Sequence, residues 1–175
     1  MIIINVKKNK IKYQEYQKQL LQLDNIGFSK SQFIAFYSSQ GLLNFYIDTN
    51  LRKIACELQS LSVILIDFDD IIKYEIVFDN MLVKDNAVGN AIVGGIVAGG
   101  VGAIVGASSA NSKQFINSIV IHIYRKSYIP LTYNLSSKPL SKISNEYAQM
   151  IQRLDFLSYN LDSILNNKFI QIQTT

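Results

Sequence analysis

The sequence predicts an α+β protein, in which about six or seven antiparallel strands form a partial barrel or sandwich and a long amphipathic helix follows them. Three observations support this prediction. Apolar and polar residues alternate with a period of two along much of residues 33–135, which is typical of strands with one solvated face. Large apolar residues recur at helical spacing along residues 143–165. A charge-free, glycine-rich segment, residues 87–110, interrupts the strands.

The composition indicates a folded chain and excludes several kinds of site. Of the 175 residues, 49% are hydrophobic and 17% are charged, which is enough apolar material for a core and too little charge for a disordered chain. Cys56 is the only cysteine and His122 is the only histidine. The sequence therefore excludes a disulfide framework, a cysteine-built zinc site and a metal site made of paired histidines.

A short helix is predicted near the N-terminus, because the apolar residues of 11–23 recur at helical spacing and Gly27 follows them. We assign residues 1–30 to an N-terminal strand and helix appendage. Residues 31–167 form the main domain, including the glycine-rich segment, and residues 168–175 form a tail. The first residues lack the basic region of a signal peptide, so we expect a cytoplasmic protein.

Seven runs of residues are predicted to be strands, six because they alternate with a period of two and one, residues 63–66, because it is a short continuous apolar run. They lie at residues 33–37, 43–47, 54–58, 63–66, 72–78, 119–124 and 131–135. In the first run, one face consists of Phe33, Ala35 and Tyr37. The stretch from Arg125 to Tyr128 separates the last two runs, and we predict that it forms the tip of a hairpin.

The clearest element is the C-terminal helix. One apolar stripe about six turns long contains Ile143, Tyr147, Met150, Ile151, Leu154, Leu157, Leu161, Ile164 and Leu165. Pro139 suits a position just outside the helix, and Ser141 is the expected N-cap. A helix with such a stripe must pack on the open face or edge of the sheet, because these side chains have no other place to be buried.

The glycine-rich segment admits three interpretations. It contains seven glycines, six alanines and eight isoleucine or valine residues in 24 positions. Its length permits a transmembrane helix, but it lacks leucine, phenylalanine and a flanking aromatic belt. A phosphate-binding loop is excluded, because the segment has no lysine and no βαβ unit surrounds it. We favour a small-residue helix or helical hairpin that is inserted between two strands.

Small residues spaced about four apart let a helix approach another surface closely. That surface is either the sheet of the same chain or a second copy of the chain, so a homo-oligomer is one expected assembly. The candidate residues for close packing or oligomerisation are Gly94, Gly95, Gly99, Gly102 and Gly106.

No catalytic group of residues emerges from the sequence. Asp67, Asp69 and Asp70 resemble a magnesium site, but no third type of ligand follows, and aspartates between apolar runs are typical of turns and helix caps. His122 has no nucleophile or carboxylate pattern near it, and Cys56 fits a buried strand position. We therefore expect no enzyme activity, no metal and no cofactor.

The charge is unevenly distributed, with a formal net charge of +4 and no acidic residue in positions 86–145. Arg125 and Lys126 lie between two tyrosines at the predicted hairpin tip. Basic and aromatic side chains together bind RNA or single-stranded DNA, although solvated lysines on a basic protein are the simpler explanation. The candidate polyanion-binding residues are Lys113, Tyr124, Arg125, Lys126, Tyr128, Lys138, Lys142, Lys7, Lys8 and Lys10.

Three segments in this order resemble a known family. They are Ile66-Asp-Phe-Asp-Asp-Ile71, Tyr74-Glu-Ile-Val-Phe-Asp79 and Gly99-Gly-Val-Gly-Ala-Ile-Val-Gly106. The combination resembles small bacterial and phage proteins with a pleckstrin-homology (PH)-like domain and a glycine-zipper segment, and the resemblance covers roughly residues 33–165. The chain departs from the family pattern at Asp67, where a proline is usual, and in its N-terminal helix.

The resemblance implies a PH-like partial barrel or sandwich and a binding module without catalysis. It also implies an accessory protein of a prophage or another mobile element, which acts by stoichiometric binding to a protein or to an RNA-containing host complex. An anti-defence inhibitor of the anti-CRISPR type is one candidate within this class. The alternative, which we favour less, is a membrane-associated protein inserted through its glycine-zipper segment.

Overall fold

The computed structural model describes residues 2–38, 41–58, 62–79, 81–87, 115–126 and 128–166, with backbone only for residues 2–9 and 81–87. The helices are α1 (Ile2–Asn25) and α2 (Asn145–Leu165), and a 3-10 helix spans Phe68–Asp70. The strands are β1 (Phe33–Ser38), β2 (Gly41–Asp48), β3 (Lys53–Leu58), β4 (Ser62–Asp67), β5 (Ile71–Phe78), β6 (Met81–Ala87), β7 (Phe115–Ile116), β8 (Ile119–Arg125), β9 (Tyr128–Asn134) and β10 (Leu140–Ser141).

The eight longer strands form two four-stranded antiparallel sheets. Sheet 1 has the order β1-β2-β3-β4, and sheet 2 has the order β6-β5-β8-β9. Strands β7 and β10 pair with each other in a short separate ladder. Within the described ranges the sheets do not close into a barrel, so the predicted α+β architecture takes the form of an open sandwich.

The main core lies between the two sheets and α2. Phe45 of sheet 1 meets Tyr133 of sheet 2 edge to face, with ring centroids 5.8 Å apart. Helix α2 contributes Leu154, Leu157 and Leu161, which are all fully buried in the same cluster. The prediction that the C-terminal helix packs against the sheets is thus confirmed.

The start of α2 differs from the prediction. The N-cap is Ser144, whose hydroxyl oxygen accepts a hydrogen bond from the Tyr147 backbone N–H at 3.1 Å, whereas the predicted N-cap, Ser141, lies in β10. Ile143 precedes the helix and is 97% exposed, so it is not part of the apolar stripe. Helix α2 begins after Ser144 because the hydroxyl of this residue can accept a hydrogen bond from a backbone N–H of the first turn that has no partner within the helix.

Helix α1 is longer than the predicted residues 11–23, and it covers the outer face of sheet 1. Gly27 ends it with a φ of 71°, and the N–H groups of Gly27 and Phe28 bond back to the carbonyls of Asp24 and Leu23. This is the Schellman arrangement, in which a glycine accepts the left-handed conformation. A second, smaller hydrophobic cluster forms beneath the helix from Tyr16, Leu23, Phe28, Ala55 and Val63.

The small cluster under α1 contains a buried carboxylate. The Tyr16 hydroxyl donates to Glu57 Oε1 at 2.5 Å, and the Asn44 amide donates to Glu57 Oε2 at 3.3 Å. Burial raises the pKa of Glu57, but the hydrogen bonds from Tyr16, Tyr46 and Asn44 outweigh it, so the pKa lies below its ordinary value. Strand β3 is consequently buried on both faces, in contrast to the single solvated face that its alternation predicted.

The sequence prediction also missed three strands and the buried face of β1. All seven predicted strands are present, and β6, β7 and β10 are additional. In β1 the buried side chains are Ile34 and Phe36, whereas Phe33 and Tyr37 point away from the main core and are exposed. The glycine-rich insertion lies outside the described residues, except for Ala87 at the end of β6.

Candidate interaction surface

A groove lies open between β1 and α2. One part of it, about 450 Å³, is lined by residues 33–35 of β1 and by Gln152, Arg153 and Phe156 of α2. A second part, about 420 Å³, continues from Arg153 past Tyr37 to the loop before α2. Among the described strands, β1 pairs only with β2, so its other edge faces this groove.

The exposed edge of β1 presents backbone groups to the groove. The Arg153 guanidinium donates to the Ala35 carbonyl oxygen at 3.3 Å, which shows that this carbonyl points away from β2. Backbone groups of an antiparallel strand alternate in direction from one residue to the next. The carbonyl and N–H groups of Phe33 and Tyr37 therefore also point toward the groove.

Three aromatic side chains flank the groove and are more than half exposed. Phe33 and Tyr37 of β1 are 57% and 64% exposed, and Phe156 of α2 is 51% exposed. The Phe33 ring lies 5.8 Å from the ring of Tyr46 on the neighbouring strand, so it sits at a fixed place on the sheet. Exposed aromatic side chains that line one concavity are typical of protein-binding surfaces.

The far end of the groove is polar. Lys138 forms an ion pair with Glu146 at 3.0 Å, and both side chains are about 60% exposed. Arg153, in contrast, forms no ion pair with a carboxylate among the described residues, although it is only partly exposed. Near its centre the groove therefore contains a cation, Arg153, for which the described part of the chain supplies no carboxylate partner.

The predicted hairpin tip is confirmed as a structural element. Strands β8 and β9 pair with Arg125 opposite Tyr128, and the Arg125 guanidinium lies 4.8 Å from the centre of the Tyr128 ring. The Arg125 side chain also donates to the Ile129 carbonyl at 3.2 Å. Lys126 is exposed beside them. The structure thus brings Arg125 and Tyr128 together.

Tyr124 is held on the outer face of sheet 2 and not at the tip. Its hydroxyl donates to Glu75 at 2.6 Å, and the Lys73 ammonium lies 4.5 Å from its ring centre. Burial raises the pKa of Glu75, but the bonds from Lys73 and Tyr124 outweigh it, and the pKa lies below its ordinary value. The Tyr124 hydroxyl is therefore already hydrogen-bonded within the chain, to Glu75.

The other candidate polyanion-binding residues are spread over the molecule. Lys10 is exposed on α1, Lys142 is partly exposed before α2, and Lys138 is paired with Glu146. The side chains of Lys7 and Lys8 and the whole of Lys113 lie outside the described residues, as do Gly94, Gly95, Gly99, Gly102 and Gly106. Polyanion binding by this set stays a prediction.

The aspartates between β4 and β5 have structural partners. Asp67 precedes the 3-10 helix and forms an ion pair with Lys53, and Asp69 forms one with Arg52 at 2.8 Å. No cluster of three metal-binding side chains occurs among the described residues. The aspartates lie at the turn that the sequence predicts, but Asp67 makes no side-chain capping hydrogen bond to the 3-10 helix.

Cys56 has the buried surroundings that the sequence predicts, whereas His122 has a carboxylate nearby that the sequence did not indicate, because Glu75 of β5 lies opposite it. Cys56 is 1% exposed in the main core, and burial raises the pKa of its thiol to about 12, so the thiol stays protonated and unreactive. His122 lies on the outer face of β8, with Nδ1 2.9 Å from the Thr132 hydroxyl. Neither lies in the groove.

Comparison with known proteins identifies the family. The profile described as "glycine zipper containing PH domain" matches residues 2–144, which run from the start of α1 to the residue before α2. The chain belongs to this family. The match includes β1 to β10 and the glycine-rich segment, and it confirms the resemblance given by the motifs around Asp67 and Tyr74.

Two relatives of this family member come from a Bacillus phage and its prophage. One is the SPbeta prophage-derived uncharacterized membrane protein YomJ of Bacillus subtilis (strain 168), 29% identical over 91% of this chain and 67% of the relative. The other is the immunity protein of Bacillus phage SPbeta, 29% identical over 91% of this chain and 76% of the relative. No solved structure matches the chain significantly.

Neither of the two helices within the described ranges combines the length and apolar character that a membrane span requires.

The sequence prediction missed the groove, although a signal for it was present. The first predicted strand has large apolar residues on both faces, with Ile34 and Phe36 on one and Phe33 and Tyr37 on the other. A strand that is apolar on both faces needs two partners, and only the inner one is found within the described chain.

Proposed function

We propose that this family member is a non-catalytic binding protein of phage or prophage origin, which acts in the cytoplasm by stoichiometric contact with a protein partner. The observation that carries the proposal is the groove between β1 and α2. It combines an exposed strand edge, three half-exposed aromatic side chains and a cation without a carboxylate partner in the described chain. Such a surface is suited to bind a polypeptide.

The comparisons support this choice of partner class. The relative from phage SPbeta carries the name immunity protein, which fits a protein that acts on another protein. The proposal gives no reactive role to Cys56, whose buried thiol has a raised pKa. A host defence complex, including a CRISPR-type ribonucleoprotein, is the narrower version of the proposal.

The experiment that tests the proposal is a comparative pull-down from the host with the tagged full-length chain. Phe156→Gln changes the groove, and Leu21→Gln is the matched control, because Leu21 is an exposed apolar residue of α1 at 61% exposure. We expect one protein in stoichiometric amount with wild type and with Leu21→Gln, and a loss of at least about tenfold with Phe156→Gln. No stoichiometric protein with wild type would remove the proposal.

The same eluates test the nucleic-acid version. The variant Arg125→Glu reverses the charge at the hairpin tip, where Arg125 contacts Tyr128. If the partner complex is held through RNA, the retained RNA should fall with this variant and with added salt. Retention that nuclease and salt do not change assigns the contact to protein alone.

A second candidate function is membrane association through residues 87–110. The observation in its favour is the name of the prophage-derived relative, which is a membrane protein. Fractionation of host cells separates the two candidates. Recovery of the protein in the membrane pellet after a carbonate wash supports this candidate, and recovery in the soluble fraction without detergent supports the cytoplasmic proposal.

A further inference from the structure

We propose that the groove binds an extended segment of the partner, which adds to sheet 1 as a fifth strand along β1 and places a carboxylate against Arg153. This inference rests on the proposed function and names the form of the partner. The described chain supplies three elements for it: the direction of the β1 backbone groups, the placement of the aromatic side chains and the position of Arg153, which has no carboxylate partner among the described residues.

The backbone of β1 is arranged to accept another strand. Ala35 lies at the middle of β1, and its carbonyl is directed at the groove by the bond to Arg153. In an antiparallel strand the N–H of a residue points to the same side as its carbonyl, so the N–H of Ala35 is also directed there. Together with Phe33 and Tyr37, Ala35 presents the repeating donor and acceptor pattern that a new strand needs.

The side chains around the edge favour an extended segment with apolar residues. A strand beside β1 would place alternate side chains on the outer face, next to Phe33 and Tyr37, and the others toward α2, next to Gln152 and Phe156. Aromatic residues pair well with aromatic or β-branched residues on a neighbouring strand. The groove therefore selects a segment of alternating pattern and not a helix, because a helix leaves the edge groups of β1 unsatisfied.

Arg153 gives the groove its charge preference. Its hydrogen bond to Ala35 is long, at 3.3 Å, and an arriving backbone N–H would take over the same carbonyl oxygen. The displaced guanidinium then needs an acceptor, and a carboxylate on the partner is the acceptor that matches its planar donors. Glu146, the carboxylate that lines the described part of the groove, is already paired with Lys138, and we therefore assign the carboxylate to the partner.

The experiment selects peptides of about ten residues, the upper length of a typical strand, from a random displayed library on the immobilised full-length chain. We expect enrichment of alternating sequences that contain an aspartate or glutamate. One selected peptide is then measured against three variants, Ala35→Pro, Arg153→Gln and the control Leu21→Gln. Proline removes the edge N–H of Ala35 without breaking a bond to β2, and proline is tolerated on edge strands.

The expected result is a loss of at least about tenfold in affinity with Ala35→Pro and with Arg153→Gln, and no change with Leu21→Gln. Circular dichroism confirms that each variant is folded, and Arg153→Gln keeps the test valid should Ala35→Pro be unstable. No enrichment, enrichment without a carboxylate, or equal binding by Arg153→Gln overturns the inference. So does a concentration-dependent dimer that Ala35→Pro dissolves, because the edge would then belong to a second copy of the chain.

The outcomes also separate this inference from the proposed function. If the native partner from the pull-down is captured equally by wild type and by Ala35→Pro, the protein is still a binding protein and strand addition is wrong. If no native partner exists but selected peptides bind as expected, the groove chemistry stands and the proposed function fails.

Discussion

The two hydrophobic clusters of the molecule differ in size and in chemistry. The main core lies between two sheets and α2, and it includes fully buried residues such as Phe45, Ile76 and Leu154. The cluster under α1 contains only five buried apolar residues among those described, and it encloses Glu57 and its hydrogen-bonding partners. The main core is held mostly by apolar burial, with Tyr74 bonded to the Asp162 carboxylate of α2 at 2.6 Å, whereas the few apolar residues under α1 surround a buried carboxylate.

This difference indicates that α1 and the sandwich are not equally stable. Apolar burial contributes in proportion to area, so the main core sets the global free energy of unfolding. The described part of α1 buries fewer large apolar side chains than α2 does, namely Tyr16 and Leu23, and Tyr16 is bonded to the carboxylate of Glu57. We therefore expect α1 to open locally at a lower free energy than the sandwich.

The largest effect is expected from Leu154→Ala in the main core. Leu154 is completely buried on α2, and truncation of a buried leucine leaves a cavity that costs about 3–5 kcal/mol. Urea denaturation should show this loss in the global free energy of unfolding. The exposed neighbour Gln149 is the control, and Gln149→Ala should stay within about 0.5 kcal/mol of wild type.

A smaller and more local effect is expected from Leu23→Ala under α1. Leu23 is 2% exposed, and we expect about 2–3 kcal/mol, measured as faster hydrogen exchange of the α1 amides. Leu21→Ala is the matched control, because Leu21 lies on the exposed face of the same helix. If the amides of β5 and β8 lose as much protection as those of α1, the two regions unfold together and the comparison is wrong.

Replacement of the buried carboxylate tests the chemical difference. Glu57→Gln replaces the carboxylate that accepts the Tyr16 hydrogen bond with a neutral amide, and we expect this to destabilise α1 by about 1–2 kcal/mol at neutral pH. The pKa of Glu57 is lowered on folding, so its contribution is complete above the ordinary glutamate pKa of about 4.3 and is lost as the pH falls through the lower folded-state pKa. The two proteins should therefore converge in acid.

A matched carboxylate is available for this test on the outer face of sheet 2. Glu75 also has a lowered pKa, through Lys73 and Tyr124, but it lies on β5 of sheet 2, whereas the α1 cluster lies on sheet 1. Glu75→Gln should leave the hydrogen exchange of α1 unchanged at every pH. A change in α1 exchange with Glu75→Gln, or none with Glu57→Gln, would contradict the assignment of the polar network to α1.

Much of the fold could be predicted because its signals are local. The seven predicted strands and the apolar stripe of α2 follow from periods of two and 3.6 residues. Strand β6 was missed because Met81–Ala87 carries no clean alternation, and it is stabilised by pairing with β5. Burial of Ala55 and Glu57 was missed because it depends on where α1 docks, which is a tertiary property.

The candidate surface could be predicted less well. Basic and aromatic residues at the hairpin tip are adjacent in sequence, so the tip was visible as a candidate. The groove combines Phe33 and Tyr37 with Phe156 and Arg153, more than a hundred residues later in the chain. Only the packing of α2 along β1 brings them together, and no sequence period encodes that placement.

The smallest effect is expected from loss of the N-cap hydroxyl of α2. It tests whether a change at the start of this helix is felt in the main core and not in the cluster under α1. Ser144→Ala removes the N-cap of α2 and should lower the global free energy of unfolding by about 1 kcal/mol. Since α2 is part of the main core, the loss should appear equally in the exchange of β5 and β8. Ser141→Ala is the control, and a larger effect there would restore the sequence-based cap and place the start of α2 three residues earlier.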